Sequence, residues 1–172
     1  CHLLLSRRVA REDDNYLNNG NMLFNRMLGA TVHTFDLEEF EQGREALLAS
    51  LSASGKTVYQ IPAGGSNAIG ALGYSHCLSE LVTQAPFKLS QIVHASASAG
   101  TQAGLVFANT VEHYDVDILG INVFHPDPES LRQRINGLYD SMSERFNTAQ
   151  APKEPTIDIN HAYFGSAYGH PT

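Results

Sequence analysis

Short runs rich in β-branched residues alternate with longer runs of helical periodicity along this chain of 172 residues. The candidate strands lie at residues 2–6, 31–35, 57–61, 91–95 and 117–124. The candidate helices lie at residues 20–28, 36–54, 68–81, 101–110 and 129–146. Strands separated by helices pair in parallel, because each helix returns the chain to the starting edge of the sheet. The alternation therefore predicts an α/β fold.

The connection between the third helix and the fourth strand suggests how the fold is divided. Pro86 interrupts the pattern at residues 84–87, and a proline disfavours helix at the residue before it. We therefore expect two α/β lobes, residues 1–85 and 86–172, each with a parallel sheet flanked by helices. The polar residues 12–19 predict a turn, and the tail after residue 146 shows little periodicity.

Charge and hydropathy exclude several classes of partner. Eleven Lys and Arg against 18 Asp and Glu give a net charge of −7 without a basic cluster, which argues against nucleic acid and anionic membrane. Residues 89–111 carry no formal charge, but nine polar side chains interrupt them, so no transmembrane helix is predicted. Two cysteines cannot form a disulfide framework, and a reducing, cytoplasmic compartment is expected.

The segment at residues 92–104 carries the clearest chemical signal. A β-branched run leads into six small residues, 95–100, which lead directly into a helix. Small side chains let a ligand approach the backbone, and the first helical turn presents unpaired N–H groups and the positive end of the helix dipole. The hydroxyls of Ser98 and Thr101 add donors. This pattern favours a phosphate site, the alternative being a tight turn with Ser98 or Thr101 as helix N-cap.

A nucleophile elbow is a further alternative for the same segment. In that hypothesis Ser98 is the nucleophile of an α/β-hydrolase, and Asp158 and then His161 or His170 follow in the required order. The first glycine of the elbow is missing, however, and no oxyanion-hole motif precedes it. A Walker loop and a dinucleotide fingerprint are also missing.

Two other segments could contribute to a site. The turn of Gly64, Gly65, Ser66 and Asn67 precedes a helix with glycines on one face, which would allow its backbone to pack closely against a neighbouring segment. A helix start capped by Ser66 or Asn67 is the simpler interpretation. The aromatic and glycine-rich residues 163–171 suit the wall of a site, or surface packing alone. The eight histidines lack metal-ligand spacing, so no metal site is predicted.

Taken together, these segments resemble the D-cysteine desulfhydrase and 1-aminocyclopropane-1-carboxylate deaminase family. The motifs are I-P-x-G-G-S-N-x-x-G-x-L-G-Y at residues 61–74, A-S-x-S-A-G-T-Q-A-G-L at residues 95–105 and Y-F-x-x-x-Y-G-x-P at residues 163–171. Residues 20–30 are similar to a further family element. Members of the family are pyridoxal 5′-phosphate enzymes of the tryptophan-synthase-β-like fold. The Ser-Ala-Gly-Thr form of the second motif is closer to the desulfhydrase branch.

The resemblance implies roles for particular residues. It assigns the cofactor phosphate to four consecutive residues, Ser98, Ala99, Gly100 and Thr101. It places a loop of the smaller, mobile lobe beside the site, formed by Gly64, Gly65, Ser66 and Asn67. Tyr168 matches the family tyrosine that faces the substrate near the pyridine ring, and is the candidate catalytic residue.

The resemblance also implies a reaction, the α,β-elimination of D-cysteine to pyruvate, ammonia and sulfide. The substrate is thus a small amino acid, and the complete protein is expected to be a homodimer. β-Chloro-D-alanine and 1-aminocyclopropane-1-carboxylate are alternative substrates, because residues that discriminate among the three lie largely outside this chain.

The chain also departs from the family pattern. It is expected to match only the middle half of a member, so that the Schiff-base lysine precedes Cys1 and another active-site segment follows Thr172. The chain's own lysines, Lys56, Lys88 and Lys153, are predicted to be solvated. Two functions therefore stay open, a fragment of a D-cysteine desulfhydrase-like lyase and a truncated, non-catalytic relative that keeps a phosphate-binding scaffold.

Two glycines of the family pattern are replaced in this chain. Ala97 stands in the phosphate-binding motif and Ala167 in the tail motif. Each added methyl group requires a negative φ at its position.

Overall fold

The structure is a computed structural model that describes residues 1–9, 11–146 and 155–166. The chain divides into two compact units, Cys1–Gln60 and Ile61–Thr172. The strands are β1 (His2–Arg7), β2 (Thr31–Asp36), β3 (Gln91–Ser96), β4 (Asp117–Asn122) and β5 (Asp158–Asn160). The helices are α1 (Asp14–Asn18), α2 (Gly20–Met27), α3 (Phe40–Ala53), α4 (Ala68–Gln84), α5 (Gly100–Val111) and α6 (Pro128–Arg145). The division into lobes at residues 1–85 and 86–172 stays a prediction.

The first unit is a parallel pair of strands with three helices. Strands β1 and β2 run in register from His2 opposite Thr31 to Arg7 opposite Asp36. Helices α1 and α2 connect the two strands, and α3 follows β2. The parallel pairing is the one that the alternation of strands and helices predicts.

Three local predictions in this unit are wrong. No strand forms at residues 57–61, which are all exposed and find no pairing partner in the described chain. A strand is stable only when its backbone groups are paired, and local composition does not provide the partner. The polar residues 12–19 contain the short helix α1, whose N-cap Asp13 accepts a hydrogen bond from the Tyr16 amide. Asp36 ends β2 rather than capping α3, which begins at Phe40.

The second unit is a parallel three-stranded sheet in the order β3-β4-β5, with α4, α5 and α6 packed together. Strands β3 and β4 run in register from Gln91 opposite Asp117 to Ser96 opposite Asn122. The core is formed by side chains of all three helices, of β4 and of the residue directly before β4. Its members include Leu78, Leu105, Phe107, Val116, Ile118, Tyr139 and Met142. The short strand β5 lies in the tail, where the sequence predicts no element.

Helices α4 and α5 approach closely at Gly104. A Cβ atom on Gly104 would collide with the carbonyl oxygen of Ala71 in α4. The hydroxyl of Ser75 in α4 donates a 2.9 Å hydrogen bond to the carbonyl of Gly104. Of the glycines in α4, Gly70 lies against the preceding turn, where a Cβ atom would collide with the Gly65 carbonyl oxygen, whereas a Cβ on Gly73 would meet no atom within 4 Å. The glycine that allows the close approach therefore belongs to α5.

We expect Gly104→Ala to lower the free energy of unfolding by about 1–3 kcal/mol, the usual cost of overpacking a core. The matched substitution Gly73→Ala should raise it by about 0.5–1 kcal/mol, because alanine favours helix and the site has room. Urea denaturation of both variants tests this. Equal effects of the two substitutions would show that Gly104 does not set the distance between the helices.

Candidate functional site

Helix α5 begins without a side-chain cap. Its N-cap is Ala99, whose φ of 75° lies in the left-handed region and whose side chain makes no capping hydrogen bond. The hypothesis that Ser98 or Thr101 caps this helix is therefore wrong. An L-residue pays roughly 1–2 kcal/mol in this conformation, and such strain is common at functional sites.

The loop at residues 96–101, here called the anion loop, presents several backbone donors. The structure gives the N–H groups of Ser98, Ala99 and Thr101 no acceptor among the residues it describes. The first-turn amides of a helix have no acceptor inside the helix, and the dipole makes this end positive. The anion loop therefore has the donors and the electrostatic sign that a phosphate group requires.

Ser66 connects the anion loop to the glycine turn, residues 62–67, although 32 positions separate Ser66 from Ser98 in sequence. The Gly100 amide donates to the Ser66 hydroxyl oxygen at 3.2 Å, and the Ser66 hydroxyl donates to the Ser98 oxygen at 2.8 Å. Ser66 is only 9% exposed, and Gly100 is buried. The chain of donors ends at Ser98, whose own hydroxyl hydrogen is left to donate to a ligand.

The glycine turn can lie against the anion loop because it lacks side chains at its tip. Gly64 has a φ of 68°, and a Cβ atom there would collide with the Ser98 hydroxyl. Asn67 has a structural role, since its side-chain oxygen accepts a 2.8 Å hydrogen bond from the Gly70 amide and caps α4. The structure thus brings together the two segments that the sequence singled out, with Asn67 at a helix cap.

Two side chains outside the loop hold its carbonyl groups. The ring Nε2 of His125 lies 2.8 Å from the carbonyl oxygen of Ala97, and because a carbonyl only accepts, this nitrogen carries the proton. The guanidinium Nε of Arg134 donates to the carbonyl of Ser98 at 3.3 Å. The sequence predicted no site role for either residue. His125 lies just before the predicted helix at residues 129–146, and Arg134 lies within that helix.

Buried polar atoms lie on the α5 side of the sheet near the loop. Ser96, the last residue of β3, is 1% exposed, and its hydroxyl has no hydrogen-bond partner within the described part of the chain. The same holds for the amide oxygen of Gln102, whose nitrogen donates to the carbonyl of Asp158 at 2.7 Å. Burial lowers the pKa of His94, one position before Ala95 in β3, against a weaker opposing hydrogen bond to the Ala95 carbonyl. The His94 ring is therefore neutral near pH 7.

Among the remaining candidate residues, Lys88 lies away from the loop. Lys88 precedes β3, at the strand end opposite the anion loop, and forms an exposed ion pair of 3.3 Å with Asp115. Lys56 is exposed in the other unit. Tyr168, His170, Ala167 and Lys153 lie outside the described residues.

The hydrolase hypothesis places a histidine beside Ser98, and the structure places Ser66 there. The ring of His161 instead contacts the Asn122 side chain at 2.9 Å.

Within residues 1–9, 11–146 and 155–166, no three metal-ligating side chains form a cluster. None of the helices in these residues has the length and hydropathy of a membrane span. Ala97 does not have a positive φ, so the backbone at this position accommodates the methyl group that replaces the family glycine.

The fold of this chain is similar to that of a solved crystal structure. The crystal structure of an ACC deaminase homologue superposes on 92% of this chain with a TM-score of 0.76 and 23% sequence identity, using 55% of that chain. This likeness confirms the predicted α/β fold with parallel sheets flanked by helices. No protein-family model matches the chain.

Curated relatives narrow the comparison to D-cysteine desulfhydrases. The enzyme of Yersinia enterocolitica is 31% identical over 174 residues, and that of Salmonella typhi is 33% identical over 178 residues. Each match covers 99% of this chain and 52% of the relative, so the chain spans about half the length of the relatives it matches. The resemblance to the D-cysteine desulfhydrase and 1-aminocyclopropane-1-carboxylate deaminase family is thereby confirmed.

Ser66→Ala tests the contact between the two segments. It leaves the buried Gly100 amide without an acceptor, which costs about 1–3 kcal/mol of stability. Ser54→Ala is the matched control, because its hydroxyl bonds the Leu51 carbonyl at an exposed position and should matter little. Thermal and urea unfolding measure both effects, and an unchanged Ser66→Ala protein would contradict the proposed contact.

Proposed function

We propose that this chain forms the phosphate-binding part of a D-cysteine desulfhydrase-like carbon–sulfur lyase that uses pyridoxal 5′-phosphate. The observation that carries the proposal is the uncapped N-terminus of α5, whose loop amides have no acceptor among the described residues. The similarity to D-cysteine desulfhydrases over 99% of the chain supports the same assignment.

The residues present fit a phosphate monoester. The anion loop has only small side chains, so the ligand oxygens can approach the backbone. The Ser98 hydroxyl ends a chain of donors, and the buried Ser96 hydroxyl at the start of the loop has no partner in the part of the chain that the structure describes. Gly100 contributes the absence of a side chain rather than its amide, because a Cβ atom there would collide with Ser66, which already accepts from that amide.

In this assignment, the chain's own residues bind and orient the phosphate. The amides of Ser98, Ala99 and Thr101 and the hydroxyls of Ser98 and Thr101 donate to it. The Arg134 guanidinium, held against the Ser98 carbonyl, adds positive charge at the edge of the loop. When bound, the cofactor supplies the electron sink for a carbanion at the substrate α-carbon.

The proposed substrate is D-cysteine, a small amino acid. Overall, the carbon–sulfur bond breaks and one water molecule is consumed, giving pyruvate, ammonia and sulfide. Tyr168 is the proposed catalytic residue facing the substrate, and the glycine turn forms the adjoining loop of the smaller lobe. A lysine outside this chain would bond the cofactor, since Lys88 lies at the opposite end of β3. We expect the complete protein to be a cytoplasmic homodimer.

Phosphate recognition can be measured on the 172-residue chain. We expect pyridoxine 5′-phosphate, which has no aldehyde to modify lysines, to bind more tightly than pyridoxine. Ser98→Ala combined with Thr101→Ala should weaken this binding by about tenfold or more, because two hydrogen bonds to a charged group are lost. Ser54→Ala serves as the control. Equal affinity of the wild-type chain for the two ligands would refute the phosphate site.

The proposed lyase activity is tested on the protein expressed from the whole reading frame. We expect an upstream segment with a lysine and, in the protein expressed from the whole reading frame, sulfide and pyruvate from D-cysteine. 1-Aminocyclopropane-1-carboxylate and β-chloro-D-alanine are the comparison substrates. A reading frame limited to these residues, with phosphate binding but no turnover, would instead establish a non-catalytic phosphate-binding relative.

A further inference from the structure

Three consecutive peptide groups of the anion loop are each held at the carbonyl oxygen. The Ala97 carbonyl accepts from the His125 ring, and the Ser98 carbonyl accepts from the Arg134 guanidinium. The Ala99 carbonyl accepts the first helical hydrogen bond, 2.9 Å from the Ala103 amide. All three carbonyls are therefore satisfied by partners outside residues 96–101.

A held carbonyl fixes the direction of the next N–H group. The peptide group is planar and trans, so the N–H of one residue points opposite to the carbonyl of the residue before it. His125 therefore directs the Ser98 amide away from its own ring, and Arg134 directs the Ala99 amide away from its guanidinium. The same rule directs the Gly100 amide to Ser66, where the structure has its hydrogen bond.

His125 is itself held firmly enough to perform this role. The side-chain oxygen of Asn122 accepts from the His125 amide at 3.0 Å, and its nitrogen donates to the His125 carbonyl. Asn122 is 1% exposed at the end of β4. The His125 ring also makes an edge contact with Phe124, with 5.0 Å between centroids. The position of His125 is thus set by the sheet.

We propose that His125 and Arg134 are positioning residues for phosphate recognition, each aiming one loop amide at the ligand: His125 the Ser98 amide, and Arg134 the Ala99 amide. This inference rests on the proposed function, because the aimed amides matter only if the loop binds phosphate. Small residues alone would leave these peptide groups able to rotate, and fixing them before binding removes an entropic cost from the binding step.

The experiment follows individual amide resonances of the 172-residue chain by heteronuclear NMR during titration with pyridoxine 5′-phosphate. In the wild type, the Ser98, Ala99 and Thr101 amides should shift, and pyridoxine should not shift them. His125→Phe keeps a ring but removes the donor, so the Ser98 response should fall while the Thr101 response persists. Arg134→Met should reduce the Ala99 response in the same selective way. Each variant should bind about tenfold more weakly, as expected for one lost hydrogen bond.

Conservative variants separate positioning from folding and from charge. His125→Gln keeps a side-chain donor and should restore the Ser98 response. Arg145→Met removes a charge from the same helix, 11 positions beyond residue 134, and should leave all three responses unchanged. A loss of all three responses together in His125→Phe, or no loss at all, would overturn the positioning role while phosphate binding by the wild type stands. If the wild-type amides do not respond, the proposed function fails, and the positioning role fails with it.

Discussion

The first turn of α5 lies inside the second unit, and among the described residues a side chain accepts from its Gly100 amide but not from its Thr101 amide. Ala99 occupies a left-handed conformation at the N-cap, where a serine or aspartate would ordinarily close the helix. Ser66 reaches the Gly100 amide, and His125 and Arg134 hold the loop carbonyls. In the proposed function, the amides of Ser98, Ala99 and Thr101 donate to a common ligand, and the missing side-chain cap of α5 is the physical basis of the phosphate assignment.

Much of the fold follows from local sequence. Helix α5 begins at Gly100 and α6 at Pro128, each within one residue of the predicted start, because turn chemistry and periodicity agree there. Residues 57–61 have strand composition but pair with no described strand, whereas β5 has weak strand composition and pairs with β4. Strand formation depends on a partner distant in sequence, so local composition misjudges both segments.

The sequence predicted the segments of the site but not the contacts between them. Small residues indicated the anion loop, and the family resemblance placed the glycine turn beside it. The contact between Ser66 and Ser98, and the roles of His125 and Arg134, depend on tertiary proximity across about 30 positions or more, which no local pattern encodes. The alternative hypothesis that Ser98 or Thr101 caps α5 is wrong, because the N-cap of this helix is Ala99 and no side chain forms a capping hydrogen bond there.

The most direct test is a crystal structure of the 172-residue chain grown with pyridoxine 5′-phosphate. We expect the phosphate oxygens within hydrogen-bond distance of the amide nitrogens of Ser98, Ala99 and Thr101, with the Ser66 contacts kept. A phosphate bound elsewhere, or loop amides turned to acceptors of the chain itself while the ligand is present, would contradict the assignment.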